Sequence, residues 1–196
     1  HEVLDPYVDP GINITDNHDD LTTITVTVTE SPDVEKVGIY AYTVCATDQS
    51  GNTTCITRHV DVADRTAPSI VLRGSATITH EVHTDFNDPW VTVGDNFDRN
   101  VTVTTGGDFD GTPDELGTFT IWYYAEDASG NKDSVSREIT VVDTTPPVIS
   151  LNGNVEEEVD RWEDFVDPGV TASDNYDVEA DITITIDGDY TNSQSV

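Results

Sequence analysis

The sequence predicts an all-β chain of tandem sandwiches, each made of two antiparallel sheets, and three observations carry that expectation. Stretches such as Ile24 to Thr29, Val101 to Thr105 and Ile182 to Ile186 alternate β-branched with polar residues between Asp, Asn and Gly, the pattern of half-buried strands. No stretch carries a convincing helical period. The punctuation also recurs. Tyr7, Asp9, Pro10, Gly11, Asp16, Asn17 and Asp19 are matched by Phe86, Asp88, Pro89, Trp90, Asp95, Asn96 and Asp98, and again by Phe165, Asp167, Pro168, Gly169, Asp174, Asn175 and Asp177, always 79 residues apart. An ungapped period of that size lets each unit bury its own core, so the units are beads on a string rather than turns of a solenoid.

The 196 residues hold about two and a half such units. The expected boundaries are 1–64 for a first unit lacking its opening strand, 65–143 for a complete unit, and 144–196 for a third lacking its last strands. His1, Glu2 and Val3 fall where His80, Glu81 and Val82 stand in the second unit. The chain therefore reads as a window cut from a longer protein. Its third unit is expected to be completed by further sequence or by a strand from another chain.

Within a unit the clearest element is a hairpin. The stretch Phe119 to Ala125 meets Val135 to Val141 through Asp127, Ala128, Ser129, Gly130 and Asn131, and its copy joins Tyr40 to Ala46 with the stretch ending at Val62. Phe119, Ile121, Tyr123 and Ala125 share one face, as do Tyr40, Tyr42, Val44 and Ala46, and that face is core. Ile56, Val60, Val62, Val135, Ile139 and Val141 are expected to point inward from the returning strand. Arg58 and Arg137 share that register, and each is expected to reach past the core edge to a carboxylate. The linkers Ala63 to Ser69 and Val142 to Val148 contain Pro68, and Pro146 with Pro147, which favour extended, semi-rigid joints.

Cys45 and Cys55 flank the first hairpin's turn symmetrically, which sets them opposite one another. A cross-strand disulfide and an oxidising, extracellular location follow; two free thiols are the alternative. The 39 acidic against 8 basic residues leave a net charge of −31, which repels nucleic-acid phosphates and anionic headgroups. No apolar run approaches the roughly 20 residues that span a bilayer. His1, His18, His59, His80 and His83 do not recur as a set, and nothing groups a nucleophile with a base, so catalysis is not indicated.

The succession Asp167-Pro168-Gly169-Val170, then Asp174-Asn175-x-Asp177, a β-run, Gly before aromatic alternation, Ala125-x-Asp127-x-Ser129-Gly130-Asn131 and the closing Val141 to Ile149 resembles the bacterial immunoglobulin-like surface domains and the related hyalin repeats. The resemblance covers the whole chain and implies tandem immunoglobulin-like β-sandwiches, head to tail. It also implies stalk or spacer units of adhesins and surface filaments, or accessory modules of secreted enzymes. Two departures stand out: Trp90 replaces the glycine of the Asp-Pro-Gly motif, and the cysteine pair occurs in the first unit alone.

In such a sandwich the Asp-Asn-x-Asp loop and the hairpin loop lie at the same end, beside the preceding linker. Asp64, Asp95, Asn96, Asp98 and Asp127 are therefore expected to converge at one junction, and Asp143, Asp174, Asn175 and Asp177 at the next. The first unit carries Asp16, Asn17, Asp19 and Asp48 in the same loops. Clustered carboxylates repel unless they share a cation, and Ca²⁺ accepts six to eight oxygens in loose geometry, so a stiffening junctional calcium is one reading. Turn closure by Asp and Asn side chains is the other. Asp108, Asp110 and Asp114, with Asp187 and Asp189 as a partial copy, have a spacing like that of a calcium loop, and a solvated loop is the preferred reading. Trp122, Tyr124, Trp90 and Trp162 are candidate sugar-stacking residues, and Asn13, Asn52 and Asn100 begin sequons; none of these recurs. The expected partners are neighbouring units, other copies in a filament, and a glycan or protein receptor.

Overall fold

The computed structural model describes residues 1–29 and 31–188 and is all-β: apart from two short 3₁₀ turns, its regular elements are strands. They are β1 (Thr25–Val28), β2 (Gly38–Thr47), β3 (Thr53–Val62), β4 (Ser69–Leu72), β5 (Thr77–Glu81), β6 (Val91–Gly94), β7 (Thr102–Gly107), β8 (Gly117–Glu126), β9 (Lys132–Val142), β10 (Val148–Leu151) and β11 (Val170–Ser173). The sheets run β1-β2-β3, β4-β6, β5-β9-β8-β7 and β10-β11. The elements obey the period: β8 lies 79 residues after β2, β10 the same distance after β4, and β11 after β6. Neighbouring strands pair antiparallel wherever hairpins allow. The exception is β5, which runs parallel to β9, Thr77 facing Glu138 and Glu81 facing Val142. In the first repeat the bridge of Glu2 with Ala63 is the same contact one period earlier.

By compactness the described residues fall into two units, each taken by itself. One comprises His1–Arg73, Val91–Thr105 and Tyr123–Val135. Its core gathers Val3, Tyr42, Val44, Val60 and Val62, with Tyr7, Ile12, Tyr40 and Phe97 packed against them. Tyr7 and Tyr42 meet edge to face and share a hydroxyl hydrogen bond of 3.2 Å. Alternation on β2 buries Tyr42 and Val44 as the sequence requires, and β3 pairs with it in unbroken register from Gly38 opposite Val62 to Thr47 opposite Thr53. That register sets Cys45 against Cys55, and the disulfide forms. Ile56 differs from expectation and is half exposed, because the buried cluster takes Val60 and Val62 from β3 and stops short of it.

The other unit comprises Gly74–Trp90, Gly106–Trp122 and the described residues from Ser136 on. Val82, Ile121, Ile139, Val141 and Ala172 are buried there. A chain of rings runs His80, Phe86, Phe109, Phe119, with centroids 5.2, 5.0 and 5.9 Å apart. Arg137 does not reach past the core edge; its side chain is fully buried. It forms an ion pair with Asp88 Oδ1 at 3.2 Å and donates from Nη2 to the Trp90 carbonyl at 3.3 Å. The matching Arg58 pairs with Asp9 at 2.8 Å and donates to the Gly11 carbonyl, partly in solvent. The expected strand Ile182 to Ile186 is absent. Its counterpart β1 pairs with β2, whereas Ile182 to Ile186 pairs with no strand among the described residues.

Candidate metal centre

Three segments build the first junction. The linker delivers Asp64 directly after β3, the β6–β7 loop delivers Asp95 and Asp98, and the β8–β9 turn delivers Asp127. Each loop folds on its own hydrogen bonds. Asp95 Oδ1 accepts from the Phe97 and Asp98 amides, both at 2.8 Å, which closes an Asx turn and releases Phe97 to pack on the core around Val3. Asp98 Oδ2 accepts the Ala128 amide at 2.7 Å and so ties the two loops together. Asp127 holds its own turn, taking Asn131 N and Nδ2 at 2.8 Å each while Asn131 Nδ2 also reaches the Asp64 carbonyl at 3.3 Å. Gly130, at φ 89°, supplies the left-handed residue that this turn requires.

The outcome is four carboxylates, each offering one oxygen, with those oxygens all within 4.8 Å of one another. Asp64 and Asp127 are nearly buried, at 5% and 6% exposure. Asp64 Oδ1 accepts the Thr66 amide at 3.2 Å, whereas Oδ2 is buried and has no hydrogen-bond partner, as is true of Asp95 Oδ2. Burial pushes the Asp64 carboxyl above its ordinary range and the charges of Asp95 and Asp127 add to it, against hydrogen bonding from the Thr66 amide and a weak pull from the Ser129 hydroxyl. At Asp127 burial also acts upward, but hydrogen bonds from Asn131, Ser129 and Gly130 outweigh it and hold the carboxyl low. At an effective dielectric near 20, two ionised carboxylates at that separation repel by about 3 kcal/mol. A shared divalent cation reverses the sign of that interaction, and an all-oxygen, flexible donor set suits Ca²⁺.

The second junction repeats the plan with Asp143, Asp174 and Asp177. Asp174 Oδ1 accepts the Tyr176 and Asp177 amides, and its Oδ2 is buried without a partner. Asp143 is shifted upward by burial and then by Asp174, Glu81 and Asp177. The asparagines of the motif sit in the same two loops. Asn96 is exposed, and Asn175 donates to Glu81 at 3.3 Å while its carbonyl meets His83 Nδ1 at 2.8 Å.

In the first repeat the same loops form without a cluster among the described residues. Asp16 accepts from His18 and Asp19, Asp19 from Gln49, and Asp48 from Asn52, while Asn17 is exposed. The bonds to Asp16 and Asp48 close the turns locally. Asp108 and Asp110 likewise have local donors, Thr120 and Thr112, and Asp189 lies outside the described residues. Sequence reasoning passed over Glu2 and Glu81, which accept from the linkers at Arg65 and Thr66, and at Thr144 and Thr145. The signal was present: both glutamates obey the 79-residue period.

Residues 2–62 and 70–141 match the family model described as bacterial surface protein, Ig-like domain. An uncharacterized 81.3 kDa protein of Acholeplasma phage L2 is 29% identical over 154 residues, covering 74% of this chain and 20% of that protein. The serine-rich adhesin for platelets of Staphylococcus aureus strain MRSA252 is 30% identical over 135 residues, covering 62% of this chain and 10% of the adhesin. The chain thus spans a fifth or less of these relatives. Among solved structures, the protocadherin GammaB4 extracellular domain is 15% identical at a TM-score of 0.34, covering 77% of this chain and 32% of that one.

Proposed function

Because the chain belongs to the family of bacterial surface protein Ig-like domains, we propose that it is a non-catalytic spacer segment of a long extracellular protein of the adhesin or surface-filament type, with calcium stiffening its repeat junctions. Its repeats would divide after Asp64 and Asp143. The observation that carries the reading is the convergence of Asp64, Asp95, Asp98 and Asp127 from a linker and two loops, with a buried, unpartnered oxygen on Asp64. A cation held by the linker and by the following repeat removes the hinge freedom that a spacer must suppress. The similarity to a staphylococcal adhesin supports the setting.

The test is thermal unfolding and small-angle scattering of the full chain in millimolar calcium and in chelator. Calcium is expected to raise the unfolding temperature, as any ligand of the native state does, and to lengthen the particle. Identical unfolding and scattering in the two buffers would remove calcium from the proposal. Binding to a glycan array through Trp122 or Tyr124, both exposed on β8, would move the reading toward an accessory binding module.

A further inference from the structure

Glu2 and Glu81 meet the linkers in the same way. Glu81 Oε1 accepts from Thr145 Oγ1 at 2.6 Å, Thr145 N at 3.2 Å and Asn175 Nδ2 at 3.3 Å, while Oε2 accepts from Thr144 Oγ1 at 2.7 Å and Thr144 N at 3.0 Å. One period earlier Glu2 accepts from Thr66 Oγ1 at 2.8 Å and from the Arg65 amide at 3.1 Å. Asn175 apart, these donors belong to the two residues that follow each linker aspartate. The second of them is the threonine whose amide binds that aspartate's Oδ1, Thr66 to Asp64 and Thr145 to Asp143, both at 3.2 Å. Each threonine is therefore gripped from two sides, by its hydroxyl on the glutamate and by its amide on the aspartate. At Asp64 this commits Oδ1 to the linker, while Oδ2 is buried without a hydrogen-bond partner and the residue stands grouped with Asp95, Asp98 and Asp127.

We propose that Glu2 and Glu81 are positioning residues of the junctional cation sites: they fix the linker so that Asp64 and Asp143 each present a fixed oxygen to the ion, and they do not coordinate it. The inference rests on the calcium reading of these junctions. Hydroxyl and amide donors already occupy the glutamate oxygens, which is why they act on the ion through the linker. Outer partners that orient metal ligands are worth about 10–100-fold in affinity.

The experiment is a calcium titration of the full chain followed by ¹⁵N NMR, with the Asn131 amide reporting the first junction and the Tyr176 amide the second. Glu2→Gln is expected to weaken binding about tenfold at the first junction and leave the second unchanged, and Glu81→Gln to do the reverse. Thr66→Val removes the hydroxyl grip without altering any charge and is expected to weaken the first site in the same direction, which separates positioning from a field effect. If the wild-type amides ignore calcium, the underlying reading fails. If they respond and the three variants bind with wild-type affinity, or lose only unfolding stability, the positioning role is overturned.

Discussion

Removing Asp88 should destabilise its unit far more than removing Asp9, although the two occupy the same position in successive repeats. Each aspartate closes a turn, Asp88 on the Trp90 amide and Asp9 on the Gly11 amide, and each pairs with an arginine of the returning strand. The turn contribution is common to both and cancels in the comparison. What differs is burial: Arg137 has no exposed side chain, whereas Arg58 keeps 30% of its own. Asp88→Ala removes the carboxylate that lies 3.2 Å from a guanidinium charge inside the protein, which costs about 3–5 kcal/mol. Asp9→Ala lets water replace the lost carboxylate, at about 0–1 kcal/mol for the pair. With a urea m-value of about 1–2 kcal/mol/M, Asp88→Ala should lower the midpoint by at least about 1.5 M. The assay is urea unfolding followed by tryptophan fluorescence, because Trp90, Trp122 and Trp162 all lie in the unit that holds Arg137. Unfolding of the Asp9 variant is followed by circular dichroism. Combining Asp88→Ala with Arg137→Met should restore most of the loss, since an apolar side chain carries no buried charge. Equal shifts for the two aspartates, or no recovery in the double variant, would refute the argument that burial sets the cost.

Reducing the Cys45–Cys55 bridge, or replacing both cysteines by serine, should cost the first repeat about 2–3 kcal/mol by freeing a short loop in the unfolded chain, and leave tryptophan-reported unfolding unchanged. Gly107 sits at φ 113° with the Thr120 carbonyl where a Cβ would go, so Gly107→Ala should destabilise by more than about 1 kcal/mol and disturb the β7–β8 pairing, read by amide exchange. Glu81, ordinarily near 4.5, is drawn down to about 2 first by the Thr145 hydroxyl and then by that of Thr144. Because its folded value is depressed, its contribution is complete above pH 4.5 and declines as pH falls toward 2. An acid titration of unfolding stability should show that loss in the wild type and a flatter profile over the same range in Glu81→Gln.

The period of 79 residues, the hairpin faces apart from Ile56, and the disulfide register were legible in the amino-acid sequence, since alternation and turn chemistry are local and the repeat supplied its own alignment. So was the list of acids that meet at the junctions. Tertiary structure decided how closely those acids approach and which of their oxygens are buried. Oxygens within 4.8 Å of one another and the burial of Asp64 and Asp127 come from packing a linker against two loops far away in the chain, which local sequence does not record. The same holds for Arg58 and Arg137, identical in register and opposite in burial, because exposure is set by what packs over a strand rather than by the strand.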